Sequence, residues 1–393
     1  MTSRGIRRRV AVAVSIGAAS LALAALAAAA SVVVVFARTV VIPPQKRNED
    51  VRILDIGDRS ITLAATADSV TPGRYSLWFD QDAGHARVGE ILEVSDRSVT
   101  RELIGVDVGE LSTARSGRFS GWFYLTPVEL GFPVDEVEIE TTLGPAPAWL
   151  FPAERTSSAW VIQVHGRAVL RNEALRAVPV FRRAGYNSLL ISYRNDSEAP
   201  RSSDYRYGLG DPEWLDVESA MRFALDRGAT DIVLMGWSMG GAIVLQAATR
   251  SPLSSAVRGI VLESPVVDWV TTLQFQGALK RIPEPLRHAV IATVGSEWGT
   301  AITGQAEPID FDRLDFVARA NELEHPILLL HSVDDGFVPI TASRALAIAR
   351  PDIVTFEPFT IATHTRLWNY DVERWYATIA KWLAKLQGVS GTP

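Results

Sequence analysis

The chain has 393 residues, 47% of them apolar and 21% charged, and a formal net charge of −6. Such a length exceeds one ordinary domain, and such a composition builds a core and excludes disorder over most of the chain. The absence of cysteine excludes disulfides, thiolate catalysis, Cys-based zinc sites and lipid attachment through an N-terminal Cys, and an acidic balance without a basic stripe argues against nucleic-acid binding.

Arg4, Arg7, Arg8 and Arg9 precede an almost unbroken apolar run from Val10 to Phe36. As a helix, the run reaches about 40 Å at roughly 1.5 Å per residue, enough to span a bilayer with tilt. A cleaved signal peptide is the alternative, with Ala28-Ala29-Ala30 as its small-residue site. Continuation into Val32–Phe36 favours an uncleaved anchor. The basic flank predicts a cytoplasmic N-terminus with the remaining chain outside, although Arg38, Lys46 and Arg47 weaken the asymmetry. Residues 1–40 thus read as an anchor, and residues 41–50, with Pro43 and Pro44, as an extended linker.

Residues 51–134 read as a small β-rich accessory module. Ser60–Ala64, Tyr75–Phe79, Val88–Val94 and Gly121–Leu125 are expected strands, separated by turn residues such as Thr71-Pro72-Gly73 and Asp82-Ala83-Gly84. His85 reads as an exposed loop histidine. From residue 135 to 390 short apolar strands alternate with helical patterns, which predicts an α/β domain with a mostly parallel sheet. The expected strands are Val137–Thr141, Ala159–Val164, Ser188–Tyr193, Ile232–Gly236, Gly259–Glu263, Ile327–His331 and Ile353–Phe356. Expected helices are Asn172–Ala184, Trp214–Arg227, Ser238–Arg250, Thr341–Ala349 and Tyr370–Leu386. Residues 266–324 interrupt the alternation and read as a helical cap insertion, with a helix over Leu286–Val294.

The strongest chemical signal is Ile232-Val233-Leu234-Met235-Gly236-Trp237-Ser238-Met239-Gly240-Gly241, a strand running into G-x-S-x-G and then into a helix. A serine on a sharp strand-to-helix turn needs tiny neighbours, which Gly236 and Gly240 supply. The turn lifts the hydroxyl beside a helix N-terminus, where the dipole favours negative charge. A glycine-rich turn with an incidental serine is the bland reading, and the strand–turn–helix context disfavours it.

A serine nucleophile needs a base. Among six histidines, His364 lies in a polar loop after the last strand, at the end of the order Ser…Asp…His. His85 falls in the β module, His288 in the cap, His325 before a proline, His331 at a strand end near the site, and His165 in another motif. The orienting carboxylate comes from Asp334-Asp335-Gly336-Phe337-Val338-Pro339, where the D-x-x-V-P spacing favours Asp335 over Asp334; Asp268 is a third candidate. An oxyanion hole needs two backbone donors. One is the N–H of Met239. The other is the N–H of Arg167, where the strand Trp160–Val164 ends in His165-Gly166. The Arg167 side chain either reaches an anionic substrate or is solvated or ion-paired.

These residues resemble the α/β-hydrolase superfamily over about Asp135–Gln387. The elbow at 236–241 looks like that of esterases and monoacylglycerol-lipase-like members. Ser192-Tyr193-Arg194-Asn195-Asp196, with Glu213-Trp214 and Asp216, resembles bacterial membrane-associated hydrolases of that superfamily. The resemblance implies a mostly parallel α/β-hydrolase sheet, catalytic roles for Ser238, Asp335 and His364, and oxyanion donation by Arg167 and Met239. Epoxide hydrolases and dehalogenases of this fold use an aspartate nucleophile, which Ser238 argues against. Prolyl-oligopeptidase-like peptidases share the fold, but their usual large propeller has no counterpart in this chain. No metal or organic cofactor is implied. The expected partner is a small-molecule acyl substrate, with a membrane contacted through the N-terminal helix and the oligomeric state left open. Trp269, Leu273, Phe275 and Trp298 of the cap hint at an apolar substrate. Ester hydrolysis is the leading expectation. A serine peptidase or amidase, an acyltransferase and a membrane-tethered binding protein with a disused site are its rivals.

Overall fold

The computed structural model describes residues 3–44 and 48–389, with side chains from residue 20 onward; Gln45, Lys46 and Arg47 of the expected linker, and residue 390 of the expected α/β domain, lie outside the described residues. Helix α1 (Ser3–Val41) carries the apolar run without interruption. Its segment Ser20–Val41 is, by length and composition, long and apolar enough to cross a membrane. Leu21, Leu23, Leu26 and Val35 are exposed along it, whereas Phe36, Ala37, Val40 and Val41 are buried in the domain that follows.

Strands β1 (Val51–Ile56), β2 (Ser60–Ala64), β3 (Tyr75–Phe79), β4 (Gly84–Val94), β5 (Ser98–Val108) and β6 (Ser116–Ser120) close an antiparallel barrel in the order β1-β2-β5-β4-β3-β6. Alternate side chains such as Ile61, Leu63, Tyr75, Leu77, Val88 and Phe119 fill it. Arg101 is buried beside them. Its guanidinium donates to the carbonyls of Ser69, Thr71, Gly73 and Gly89, between the rings of Tyr75 and Phe119. Burial lowers its pKa to about 10.

Two expectations fail in this region. His85 is not exposed in a loop: it is buried in β4, with Nδ1 2.8 Å from an Asp107 carboxylate oxygen on β5. Gly121–Leu125 is not a strand. Its aromatic rings pack between barrel and hydrolase core instead, Trp122 at 4.9 Å from Trp78 and Phe123 at 5.8 Å from Trp368.

The second domain comprises β7 (Asp135–Thr141), β8 (Gly144–Phe151), β9 (Ala159–Val164), α2 (Val178–Arg183), β10 (Asn187–Ile191), α3 (Trp214–Asp226), β11 (Asp231–Trp237), α4 (Met239–Arg250), β12 (Val257–Glu263), α5 (Trp269–Leu279), α6 (Glu284–Val294), α7 (Glu297–Thr303), β13 (Ile327–Ser332), α8 (Ile340–Ala349), β14 (Val354–Phe359), α9 (Leu367–Tyr370) and α10 (Val372–Val389). Its eight-stranded sheet runs β14-β13-β12-β11-β9-β10-β8-β7, parallel from β14 to β10, with β8 and β7 antiparallel. The continuous apolar runs follow from burial on both faces. On β11, Ile232 and Leu234 join the core of α3 and α4, whereas Val233 and Met235 join Phe181, Trp375, Ile379 and Leu383 on the other side. Helices α5, α6 and α7 fall within residues 266–324, the segment expected as a cap insertion. The expected helix Asn172–Ala184 is split: residues 171–177 wind as a 3₁₀ turn and α2 begins only at Val178, because Pro179 fits only the first turn of an α-helix.

Candidate active site

β11 ends in Trp237 and α4 starts at Met239, so Ser238 alone makes the turn, with φ +51° and ψ −117°. That left-handed backbone is strained for a non-glycine residue. The chain closes tightly around it: a Cβ at Gly236 would lie 2.3 Å from the Gly240 carbonyl oxygen, and one at Gly240 2.1 Å from the Val164 oxygen. Glycine is required at both positions.

Ser238, His364 and Asp335 are hydrogen-bonded in series. The Ser238 Oγ–His364 Nε2 distance is 2.9 Å, and His364 Nδ1 lies 2.7 Å from Asp335 Oδ2. Ser238 follows β11 and its partners follow β14 and β13, so the carboxyl ends of three parallel strands supply the three groups, with β12 lying between β11 and β13. The arrangement suits a neutral imidazole that donates from Nδ1 and accepts the serine proton at Nε2. Asp335 is buried and receives four donors: His364 and His331 on Oδ2, and the N–H groups of Phe337 and Val338 on Oδ1. Burial pushes its carboxyl upward, but the opposing pull of His364 and His331 holds it well below the usual carboxylate range. Asp334 accepts the Ile361 N–H at 2.6 Å, and Asp268 caps α5, so neither touches His364.

The loop after β9 passes beside the serine; a Cβ on Gly166 would stand 3.3 Å from Ser238 Cβ. The Gly166 N–H donates to Glu173, and its carbonyl accepts the Tyr193 hydroxyl at 2.8 Å and faces His165 Nδ1 at 2.9 Å. In a trans peptide N–H and C=O point oppositely. Fixing the Gly166 carbonyl therefore also fixes the direction of the Arg167 N–H. Among the described residues, the Arg167 and Met239 N–H groups have no intramolecular acceptor. The Arg167 side chain is half-buried and, among the described residues, forms no ion pair. It donates to the carbonyls of Thr39 and Ile42, at the end of α1.

Three participants escaped sequence reading. Glu173 and Tyr193 clamp the loop. Glu263, buried at the end of β12, accepts both indole N–H groups of Trp237 and Trp375 at 2.9 Å and so braces the elbow from beneath. A carboxylate closing the apolar run Ile260-Val261-Leu262 was the available signal. Of the cap residues, Trp269 and Leu273 belong to the core, Trp269 donating to the Leu209 carbonyl; Trp298 is 60% exposed.

Fold and site geometry define a hydrolase of the α/β-hydrolase fold. The prolyl oligopeptidase family matches residues 176–389, more than half of the chain, and the chain belongs to that family. A domain of unknown function, DUF8805, matches residues 52–120 of the barrel. No curated protein matches. Among solved structures, the esterase Pf2001 of Pyrococcus furiosus is similar at 19% identity and a TM-score of 0.52, covering 67% of this chain and 94% of its own. The esterase RhEst1 of Rhodococcus sp. ECU1013 is 17% identical with a TM-score of 0.45, over 64% of this chain and 99% of that one. A puromycin-hydrolysing peptidase of Mycobacterium tuberculosis is 17% identical with a TM-score of 0.47, over 83% of this chain and 45% of that one.

Proposed function

We propose that the protein is a membrane-anchored serine hydrolase that cleaves carboxylic ester bonds through an acyl-enzyme. The series Ser238–His364–Asp335 carries this reading. His364 takes the proton of Ser238 as the oxygen attacks the carbonyl carbon. The oxyanion that forms lies between the N–H groups of Met239 and Arg167. His364 then hands its proton to the leaving alcohol, and water, activated by the same imidazole, releases the acid. Phe337, Val333 and Ile361 support an apolar acyl group: they are exposed on the two loops that carry Asp335 and His364, and the Phe337 ring lies 5.0 Å from the His364 ring. Helix α1 anchors the chain, with the basic N-terminal residues on the cytoplasmic side and the catalytic domain beyond the membrane.

Family membership favours a second reading, cleavage of amide bonds by the same groups. A panel of p-nitrophenyl esters of increasing acyl length, set against aminoacyl and prolyl anilides, separates the two. The ester reading expects turnover of esters above anilides, with hydrolysis and fluorophosphonate labelling both abolished in Ser238→Ala. Anilide turnover exceeding that of every ester would replace it with the peptidase.

A further inference from the structure

Helix α1 does not end at a membrane boundary. Its last turns run into the catalytic domain, packing against α6 and α7, and Phe36, Ala37, Val40 and Val41 line up on one face within the core that also holds β9 and β11. The last carbonyls of a helix lack intrahelical partners. Here the domain supplies them. Arg167 Nη2 donates to Thr39 and Ile42 at 2.8 and 3.0 Å, and the Tyr207 N–H donates to Val41 at 2.8 Å. The guanidinium lies 5.0 Å over the Tyr207 ring. A cation at this end is also favoured by the helix dipole. Arg167 directly follows Gly166, the residue that passes beside Ser238.

We propose that the seating of α1 sets the oxyanion donor: Arg167 is a positioning residue that ties its own loop to the end of the membrane helix, so turnover depends on the helix being docked. This rests on the serine hydrolase reading above. The Gly166 carbonyl is held from one side by Tyr193, and the side chain of the next residue is held from the other by α1. Releasing α1 frees that second hold and lets the Arg167 N–H swing away from the developing oxyanion. The nucleophile and its base are untouched.

The test uses the full chain in detergent micelles and a p-nitrophenyl ester. Arg167→Met removes the guanidinium donors, and Ala37→Leu wedges the buried seam while keeping α1 apolar. Loss of an oxyanion donor costs about 10²–10³ in kcat, and misplacement somewhat less. Each variant is therefore expected to lose about 10- to 100-fold in kcat, with KM within about threefold and the pH profile unmoved. The double variant is expected to be no worse than the more damaging single one, because both break the same link. Should Arg167→Met fail to fold, Arg167→Lys, which retains the charge but not the fork, is read in its place and is expected to lose several-fold. A kcat within twofold of wild type in the folded Arg167 variant overturns the proposal, as does a double variant whose losses multiply. Hydrolysis surviving in Ser238→Ala would instead sink the serine hydrolase reading itself.

Discussion

Asp335→Asn separates the two adjacent aspartates that sequence spacing alone left open. The amide retains an oxygen for the N–H groups of Phe337 and Val338, which lie 2.9 and 2.8 Å from Oδ1, so the loop keeps its shape. Its NH₂ then faces His364 Nδ1 across the 2.7 Å contact. Two donors cannot share that contact, and the imidazole must present a lone pair there. The proton moves to Nε2 and points at Ser238, which leaves the hydroxyl without a base. The same substitution in a serine protease triad costs about 10⁴ in kcat, or about 5 kcal/mol of transition-state stabilisation. Steady-state hydrolysis of a p-nitrophenyl ester, with the burst amplitude used to count active sites, is expected to show a loss of that order in Asp335→Asn. Asp334→Asn is expected to stay within about threefold, since its amide oxygen still accepts the Ile361 N–H. An Asp335→Asn enzyme retaining a tenth of wild-type kcat, or a large loss in Asp334→Asn instead, would refute the assignment. The acid side carries a sign as well. Because the folded carboxyl is held below its ordinary value, its stabilisation is present above about pH 4 and is lost as pH falls below that.

Tyr193→Phe removes one of the holds on the Gly166 carbonyl and is expected to lower kcat about tenfold with KM nearly unchanged, measured on the same ester. Glu213 is buried, and burial pushes its carboxyl up to about 7 against the N–H groups of Gly208 and Gly210. The folded state therefore holds a proton that the unfolded chain releases, and stability falls as pH rises from about 4.5 to about 7, by about 3 kcal/mol at most. Thermal melting at pH 5 and pH 8 is expected to show a smaller pH dependence in Glu213→Gln than in wild type. Arg101→Met strands the carbonyls of Ser69, Thr71, Gly73 and Gly89 inside the barrel and is expected to destabilise it by about 3 to 5 kcal/mol, read as a lower melting temperature.

The elbow was legible because backbone sterics dictate it: no other residue fits at 236 or 240, so the glycines mark the turn wherever it occurs. The alternation of short apolar runs with helical patterns was legible for a similar reason, a strand buried on both faces having little choice of side chain. Partners distant in sequence were not. His85 follows a turn glycine and reads as loop, but Asp107, which holds it in β4, is 22 residues away. Strand β8 was missed because Pro145 and Pro147 argue against a strand. Its ladder explains them: β10 pairs with Ala148–Phe151, and beyond that only the Pro147 carbonyl is used on this side, accepting the Ser192 N–H, so the ladder with β10 ends before it needs the prolines' missing N–H groups.

The two N-terminal additions were legible as an apolar helix and a β module, but not as neighbours of the site. An amphipathic helix announces its docking face, whereas α1 is apolar all round. Phe36, Ala37, Val40 and Val41, which enter the core, look no different in sequence from Leu21 or Val35, which do not. The barrel's seat is equally silent. Arg366 and Asn369, just past His364, reach the carbonyls of Phe119, Arg74 and Gly121, contacts across more than 240 residues. A Cβ on Gly73, at φ +112°, would lie 2.1 Å from the Asn369 carbonyl oxygen, so the barrel approaches backbone to backbone. The barrel thus grips the loop of His364 while α1 grips the loop of Arg167. Both grips run through backbone carbonyls, which every residue type possesses, and this is why no pattern of side chains could have revealed them.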